Sequence, residues 1–208
     1  MNVLAVGAHF DDIELGCSGT LAKHVKQGDK VTIYVATDSQ YANAEGEIVR
    51  SAQTARLEGE RAAKIIGADI ICGECKSLHL EFCEKINVEL VKIIEELKID
   101  LIYTHWIDDA QHDHANLSKA TLHAGRHVPK ILMYRSNWYL STQSFKENYF
   151  VDITDTWNIK EKAIMSHVSE LTRVGNKWLD YFKRDALNKG MIMDVKYAEC
   201  FEVVKWLA

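Results

Sequence analysis

The sequence has few of the residues that break a chain into separate units. It contains a single proline, Pro129, and no proline-rich, glycine-rich or repetitive stretch that would form a linker. Its 208 residues are long enough to bury a substantial core and fall within the usual length of one domain. We therefore expect residues 1–208 to form a single domain.

Several functional classes are disfavoured by what is missing. No apolar run is long enough to span a bilayer, and no charged segment followed by an apolar one marks a signal peptide. The 25 basic residues are outnumbered by 30 acidic ones, so no basic surface suggests a nucleic-acid partner. The five cysteines are an odd number, which favours reduced thiols. We expect a cytoplasmic protein without a membrane anchor.

One cysteine pair allows two minor alternatives. Cys72 and Cys75 form a CxxC motif, with Cys83 further along the chain. A redox role would require a helix to begin after Cys72 and lower its pKa. A structural zinc site would require a fourth ligand, for which His79 is a candidate. No second CxxC motif supports either alternative.

The hydrophobic periodicity predicts an α/β protein with a Rossmann-like, mostly parallel sheet and helices on both faces. The predicted strands cover residues 3–8, 31–36, 69–72, 100–105, 130–134, 149–153 and 198–205. The predicted helices begin near residue 12 and cover about 47–66, 83–97, 115–126, 155–169 and 176–188. The segment 39–48 is polar and is predicted to be a loop over the carboxyl ends of the strands.

Residues with ligand chemistry follow the first strand directly. His9, Asp11 and Asp12 come at its carboxyl end, where open α/β sheets place their ligand sites. Imidazole nitrogen and carboxylate oxygen are the donors expected for zinc or a similar divalent metal, and a second carboxylate can remain free as a base. An acidic βα turn in which Asp12 caps the helix is the simpler alternative.

A second such cluster follows the predicted strand 100–105. The segment THWIDDAQHDH (residues 104–114) contains three of the nine histidines. In a right-handed βαβ sheet this strand is commonly a neighbour of the first strand. We therefore expect the two clusters to face each other, with a histidine of the second completing a metal site.

The two clusters together resemble a known family. The segment AHFDDIELGCSGT (residues 8–20) is similar to the AHPDD…GCGGT signature of the PIG-L or LmbE-like N-deacetylases, which are zinc-dependent and related to N-acetylglucosaminyl-phosphatidylinositol de-N-acetylase. The segment 104–114 is similar to their second signature. Weaker similarity extends over essentially the whole chain. The resemblance implies the α/β fold and an N-deacetylase activity.

The resemblance also implies roles for individual residues. It makes His9, Asp12 and His114 the ligands of Zn²⁺ or another divalent metal, and Asp11 the general base. Asp113 would support the site from the same loop. Gln111 stands where the family usually has a histidine that stabilises the oxyanion, so we expect the neighbouring His112 to have this catalytic role, with Gln111 as the alternative.

The resemblance implies that the substrate is an amino sugar or an amino-sugar conjugate, a class that includes nucleotide-linked amino sugars. The residues in or near segments that can line its pocket are Arg56, Arg135, Asn137, Trp138 and Tyr139. Two alternatives are a deacylase for another small N-acyl group and a non-catalytic Rossmann-like binding module. A dinucleotide oxidoreductase is disfavoured because the first βα turn lacks GxGxxG. The sequence is also compatible with a homo-oligomer.

Overall fold

A computed structural model describes residues 1–208 as nine strands and eight helices. The strands are β1 Asn2–Gly7, β2 Lys30–Thr37, β3 Tyr41–Ala42, β4 Ile48–Arg50, β5 Asp69–Cys75, β6 Leu101–His105, β7 Lys130–Tyr134, β8 Tyr149–Asp152 and β9 Ala198–Trp206. The helices are α1 Asp12–Gly16, α2 Ser18–Lys26, α3 Ala52–Ile66, α4 Glu84–Leu97, α5 His112–Ala124, α6 Trp157–Met165, α7 Val168–Val174 and α8 Lys177–Ile192.

Seven of the strands form one sheet in the order β5-β2-β1-β6-β7-β9-β8. The first five strands of this order are parallel, and β9 is antiparallel to both of its neighbours. The prediction of a mostly parallel α/β sheet is confirmed. Strands β1 and β6 are adjacent in the sheet, as expected, since Val3 pairs with Leu101 and Ala5 with Tyr103.

Two hydrophobic clusters lie on opposite faces of this sheet. In β1, Val3 and Ala5 belong to one cluster, whereas Leu4 and Val6 belong to the other. This division follows from the alternation of side chains along a strand. All four residues are fully buried, as expected for a central parallel strand that is covered on both faces.

Three predicted boundaries are wrong in ways that affect the site. The predicted loop 39–48 contains most of a short antiparallel hairpin, β3–β4, which ends at Arg50. Helix α3 therefore begins at Ala52 instead of residue 47, and Ser51 caps it by accepting a hydrogen bond from the Thr54 backbone N–H. Helix α5 begins at His112 instead of residue 115, because the Gln111 side chain caps it.

The first signature is held against helix α3 by a close contact. The ring of Phe10 lies so near Gly59 that a Cβ atom at that position would be 2.2 Å from the ring. Phe10 is 3% exposed, so it packs as a core residue where the family usually has proline. Glycine at position 59 is thus required by packing, and the contact fixes the turn after β1.

None of the eight helices has both the length and the apolar character needed to cross a bilayer.

Candidate metal and active site

The site lies where three adjacent parallel strands end. Strands β1, β6 and β7 are neighbours in the sheet, and their carboxyl ends lead into residues 8–12, 106–114 and 135–139. Ligand sites of open α/β sheets form at this edge. The structure therefore brings together the two clusters predicted from the sequence and adds a third segment.

Three of the predicted ligands form a compact triad. The Nδ1 atom of His9 is 3.3 Å from the Nε2 atom of His114. The same His114 nitrogen is 3.1 Å from Oδ1 of Asp12, and His9 Nδ1 is 3.3 Å from Oδ2 of Asp12. Ligand atoms around a tetrahedral zinc ion with bonds of about 2.0–2.2 Å are separated by roughly 3.3–3.5 Å. The triad therefore has the donor set and the close spacing that a divalent metal ion requires.

The other ring nitrogen of each histidine is held by a buried carboxylate. His9 Nε2 is 3.0 Å from Asp113 Oδ2, and His114 Nδ1 is 3.3 Å from Asp109 Oδ2. Such carboxylates fix the tautomer and the orientation of a ligating histidine, and they increase its basicity. Both histidines thus present a lone pair toward the same point. The Ser136 hydroxyl donates to Asp12 Oδ1 at 2.8 Å and orients the third ligand.

The electrostatics of the triad favour a positive charge at its centre. Burial lowers the pKa of His9, but hydrogen bonds to Asp113 and Asp12 raise it, and the result is about 10. Burial likewise lowers the pKa of His114, Asp12 and Asp109 raise it, and the result is about 9. These carboxylates therefore stabilise a cation, which can be a proton or a divalent metal.

A second group of ligand-type side chains fits a metal less well. His105, Asp109 and His114 also have ligand atoms within 4.8 Å of one another. His105 Nε2, however, accepts a hydrogen bond from the backbone N–H of Ala8 at 3.0 Å, and its ring is stacked on that of His114 at 3.9 Å. Asp109 accepts two hydrogen bonds from Asn137 Nδ2, both at 3.0 Å. This group supports the first triad instead of binding an ion.

Asp11 lies beside the triad in an unusual backbone conformation. Its φ of 141° is rarely adopted by residues other than glycine. Burial raises the pKa of Asp11 to about 6, although the guanidinium of Arg50 opposes this effect. A base with a pKa near neutrality suits proton transfer at physiological pH. The position of Asp11 is therefore consistent with the predicted role of general base.

A cavity of about 380 Å³ opens onto the triad. It is lined by His9, Asp11, Asp12, Leu15, Ser39, Tyr41, Ala42, Arg50, Ser77, Leu78, Gln111, His114, Ser136, Asn137, Trp138, Tyr139, Glu170, Arg173 and Trp178. Four of these side chains are aromatic, and the rest are mainly polar. Its volume is in the range of sites for small molecules.

His112 does not lie where the sequence predicted. Its side chain is 54% exposed, its Nε2 atom is 3.0 Å from the Leu78 carbonyl oxygen, and it does not line the cavity. Gln111 does line the cavity, and its Oε1 atom accepts the His114 backbone N–H at 3.0 Å. Because Gln111 caps α5, His112 is the first residue of the helix and points away from the cavity.

The other predicted pocket residues divide into two groups. Asn137, Trp138 and Tyr139 line the cavity. Arg135 lines a smaller neighbouring cavity instead, and Arg56 is an exposed partner of Glu60 on α3. Cys72 and Cys75 lie on β5, and no cysteine belongs to a group of three ligand-type atoms within 4.8 Å.

Three residues of the site were not recognised from the sequence. Ser136 and Asp109 contact the ligands, and Arg50 contacts Asp11 at 2.9 Å. Asp109 is part of the second signature and could have been inferred from its position. Arg50 and Ser136 contact residues 39 and 124 positions away, and no local pattern indicates such contacts.

The fold and the donor triad define an α/β protein of the metallohydrolase type. Residues 4–125 match the sequence profile of the family described as PIG-L: GlcNAc-PI de-N-acetylase. The match covers more than half of the chain, and the chain belongs to this family, as the two signatures predicted. It is a family of deacetylases.

Three individual proteins are similar to this chain, and the two solved structures among them show the likeness of the fold. The chain is 28% identical to diacetylchitobiose deacetylase from Thermococcus kodakarensis over 95% of this chain and 80% of that protein. The crystal structure of N,N'-diacetylchitobiose deacetylase from Pyrococcus horikoshii has a TM-score of 0.83 at 22% identity, covering 98% and 83% of the two chains. GalB from Pseudomonas putida KT2440, a 4-carboxy-2-hydroxymuconate hydratase, has a TM-score of 0.82 at 18% identity, covering 100% and 98%.

Proposed function

We propose that this chain is a divalent-metal-dependent N-deacetylase that removes the acetyl group from an amino sugar or an amino-sugar conjugate. Residues 1–208 would act as a single catalytic domain. The observation that carries the proposal is the triad of His9, Asp12 and His114, with an additional carboxylate, Asp11, beside it at the same cavity. Because the hydratase GalB shares the fold, the fold alone does not specify the reaction.

The triad would hold the metal, and zinc suits its two imidazoles and one carboxylate. A bound divalent metal would supply Lewis-acid chemistry, which polarises an amide carbonyl and lowers the pKa of bound water to about 7. With a metal bound, Asp113 and Asp109 would hold the ring protons of His9 and His114 on the nitrogens opposite to the ligating ones.

Asp11 would transfer the proton. Its carboxylate accepts a proton from water as the water oxygen forms a bond to the amide carbon. It then donates that proton to the amide nitrogen as the carbon–nitrogen bond breaks. The immediate products are acetic acid and the free amine, which exchange a proton in water to give acetate and an ammonium group, so atoms and charge balance without a further reactant.

Gln111 would stabilise the negative charge that develops on the amide oxygen. Its Oε1 atom is committed to the cap of helix α5, which leaves the two N–H groups of its amide free at the cavity. This assignment replaces the predicted role of His112. An amide donor of this kind contributes roughly 3–4 kcal/mol to the transition state in other acyl-transfer enzymes.

An amino-sugar substrate is supported by the aromatic lining of the cavity. Trp138 is 38% exposed at the rim, and the ring of Tyr181 supports it at a centroid distance of 4.9 Å. Hydrogen bonds from the Tyr139 N–H to Asn137 and from Arg135 to the Tyr139 carbonyl fix this segment. An aromatic ring that is fixed in this way can stack against the apolar face of a sugar ring. The relative from Thermococcus kodakarensis is named for a diacetylated disaccharide.

Mass spectrometry of substrates after incubation with zinc-loaded protein tests the proposal. The panel contains N,N'-diacetylchitobiose, N-acetylglucosamine, a nucleotide-linked N-acetyl amino sugar and an N-formyl analogue. We expect a product lighter by one acetyl group, formed by the zinc-loaded protein and absent after chelator treatment. Preferential loss of the formyl group would favour the alternative deacylase, and no product from any compound would support the binding-module alternative.

A further inference from the structure

Arg50 is the buried cation nearest to the proposed base, and its contacts form an unusual set. It is 3% exposed although it ends the solvent-exposed hairpin β3–β4. Its Nη1 atom donates to the Phe10 carbonyl oxygen at 3.0 Å and to Asp11 Oδ2 at 2.9 Å. Its Nη2 atom contacts Glu58 Oε2 at 3.0 Å and His167 Nδ1 at 3.1 Å. The guanidinium thus joins the site to a buried polar network.

The two contacts of Nη1 are to groups on either side of the N–Cα bond of Asp11, and the torsion angle about this bond is strained. The Phe10 carbonyl precedes the backbone nitrogen of Asp11, and the Asp11 carboxylate follows its Cα atom. The φ angle of 141° describes rotation between these two parts. A non-glycine residue persists in such a conformation only when surrounding groups over-determine it. A single donor that binds both parts restrains this rotation.

A second contact acts on the same turn. The Phe10 backbone N–H donates to Ser39 Oγ at 2.8 Å, and the Phe10 ring packs on Gly59. These contacts fix the residue before Asp11, but neither touches the Asp11 carboxylate. The side-chain hydrogen bond that the Asp11 carboxylate accepts comes from Arg50.

We propose that Arg50 is a positioning residue for the general base: it holds Asp11 in its strained conformation and aims the carboxylate at the cavity. This inference rests on the proposed function of Asp11. Arg50 itself exchanges no proton with the substrate. The hairpin β3–β4 would therefore contribute to catalysis by placing the buried guanidinium of Arg50 against the turn after β1.

The test compares Arg50→Lys and Arg50→Ala with the control Glu58→Gln. Lysine keeps the charge but is shorter and has one nitrogen, so it cannot bind Phe10 and Asp11 while also making the contacts of Nη2 with Glu58 and His167. Glu58→Gln alters a different contact of the same buried network and leaves Asp11 unchanged. It therefore controls for the loss of stability that a change in this network causes. Circular dichroism, metal content, kcat and KM are measured for each zinc-loaded variant. The substrate is the acetylated sugar that the wild-type protein hydrolyses.

We expect both Arg50 variants to bind one metal per chain, with kcat reduced about a hundredfold and KM changed less than about threefold. Glu58→Gln should lower the melting temperature but leave kcat within about threefold of wild type. Methylguanidinium should restore at least about a tenth of the lost kcat to Arg50→Ala, whereas methylammonium should not. A crystal structure of the metal-free Arg50→Lys protein should show Asp11 at a negative φ.

Several results would overturn the proposal. One is wild-type kcat in the folded Arg50 variants, and another is an equal loss of kcat in Glu58→Gln. Failure of both Arg50 variants to fold would assign the residue to the core instead. An inactive wild-type protein would refute the proposed function, but the φ of Asp11 in the Arg50→Lys crystal would still report whether Arg50 holds this conformation.

Discussion

The Nε2 atom of His9 lies 3.0 Å from the Asp113 carboxylate oxygen that also accepts the backbone N–H of Leu78 at 2.7 Å. The other oxygen of Asp113 accepts the Leu80 N–H at 3.1 Å. A carboxylate held by two backbone donors cannot turn, so it fixes the ring of His9. The loop after β5 contributes no metal ligand, but its two backbone N–H groups hold the carboxylate that orients His9.

Replacing the carboxylates behind the histidines should weaken metal binding without abolishing it. Asp113→Asn and Asp109→Asn keep the shape of each side chain but remove the charge that holds the histidine tautomer. We expect each variant to lower zinc affinity about 10- to 100-fold. Competition with a chelator measures this change. Asp108→Asn is the matched control because Asp108 is the exposed neighbour of Asp109, and it should bind zinc as wild type does.

Loss of a ligating histidine should have a larger effect. His9→Ala and His114→Ala each remove one of three protein ligands, so we expect less than about a tenth of the wild-type metal content after dialysis. Elemental analysis provides the measurement. His127→Ala serves as the control because this exposed histidine lies outside the site. Full metal content in both ligand variants would show that the ion binds elsewhere.

The sequence predicted the sheet and the triad because both depend on local patterns. Strand β7 was predicted with the bounds that the structure shows, since four apolar residues follow Pro129 and Lys130. The hairpin β3–β4 was missed because its strands are only two and three residues long. Its position depends on distant contacts such as Tyr41 with Glu170 and Arg50 with Asp11. Such contacts leave no periodic signal in the hairpin itself.

The position of His112 relative to the cavity was predicted incorrectly for a related reason. Successive residues of a helix are rotated by about 100°, so the first residue of α5 determines which side chain faces the cavity. Without the cap at Gln111, the start of the helix was placed three residues too late. The position of His112 on the exposed side follows from that one hydrogen bond between the Gln111 side chain and the His114 N–H.

Asp11→Asn should separate catalysis from metal binding. Asparagine keeps the size of the side chain and can still contact Arg50, but it cannot accept and return a proton. We expect kcat to fall about 10²- to 10⁴-fold while the protein retains one metal per chain. Steady-state kinetics measures kcat, and elemental analysis measures the metal content. Near wild-type turnover would exclude Asp11 as the base.

Trp138 should affect substrate affinity more than turnover. Its ring lies at the rim of the cavity and has no contact with the triad residues. Trp138→Ala should therefore raise KM about 10-fold for a disaccharide substrate, with kcat changed less than about threefold. Trp138→Phe should recover most of the affinity because an aromatic face remains. A fall in kcat at constant KM would indicate a role in the reaction itself.

Gln111 caps a helix and is proposed to donate to the amide oxygen, and a pair of substitutions can separate the two roles. Its Oε1 atom caps helix α5, and its amide N–H groups are available at the cavity. Serine is a good helix cap but too short to replace the amide donor, whereas alanine removes both functions. We expect Gln111→Ser and Gln111→Ala to reduce kcat by a similar factor, about 10²- to 10³-fold. Loss of the cap in Gln111→Ala should additionally cost about 0.5–2 kcal/mol of stability.

His112→Ala is the matched control for this pair. The ring of His112 contacts the Leu78 carbonyl outside the cavity, so its removal should leave kcat within about threefold of wild type. Steady-state kinetics and thermal denaturation of the three variants give the required comparison. A larger loss of kcat in His112→Ala than in Gln111→Ser would mean that the histidine turns into the cavity when substrate binds. In that case the donor would be an imidazole, as the sequence first predicted.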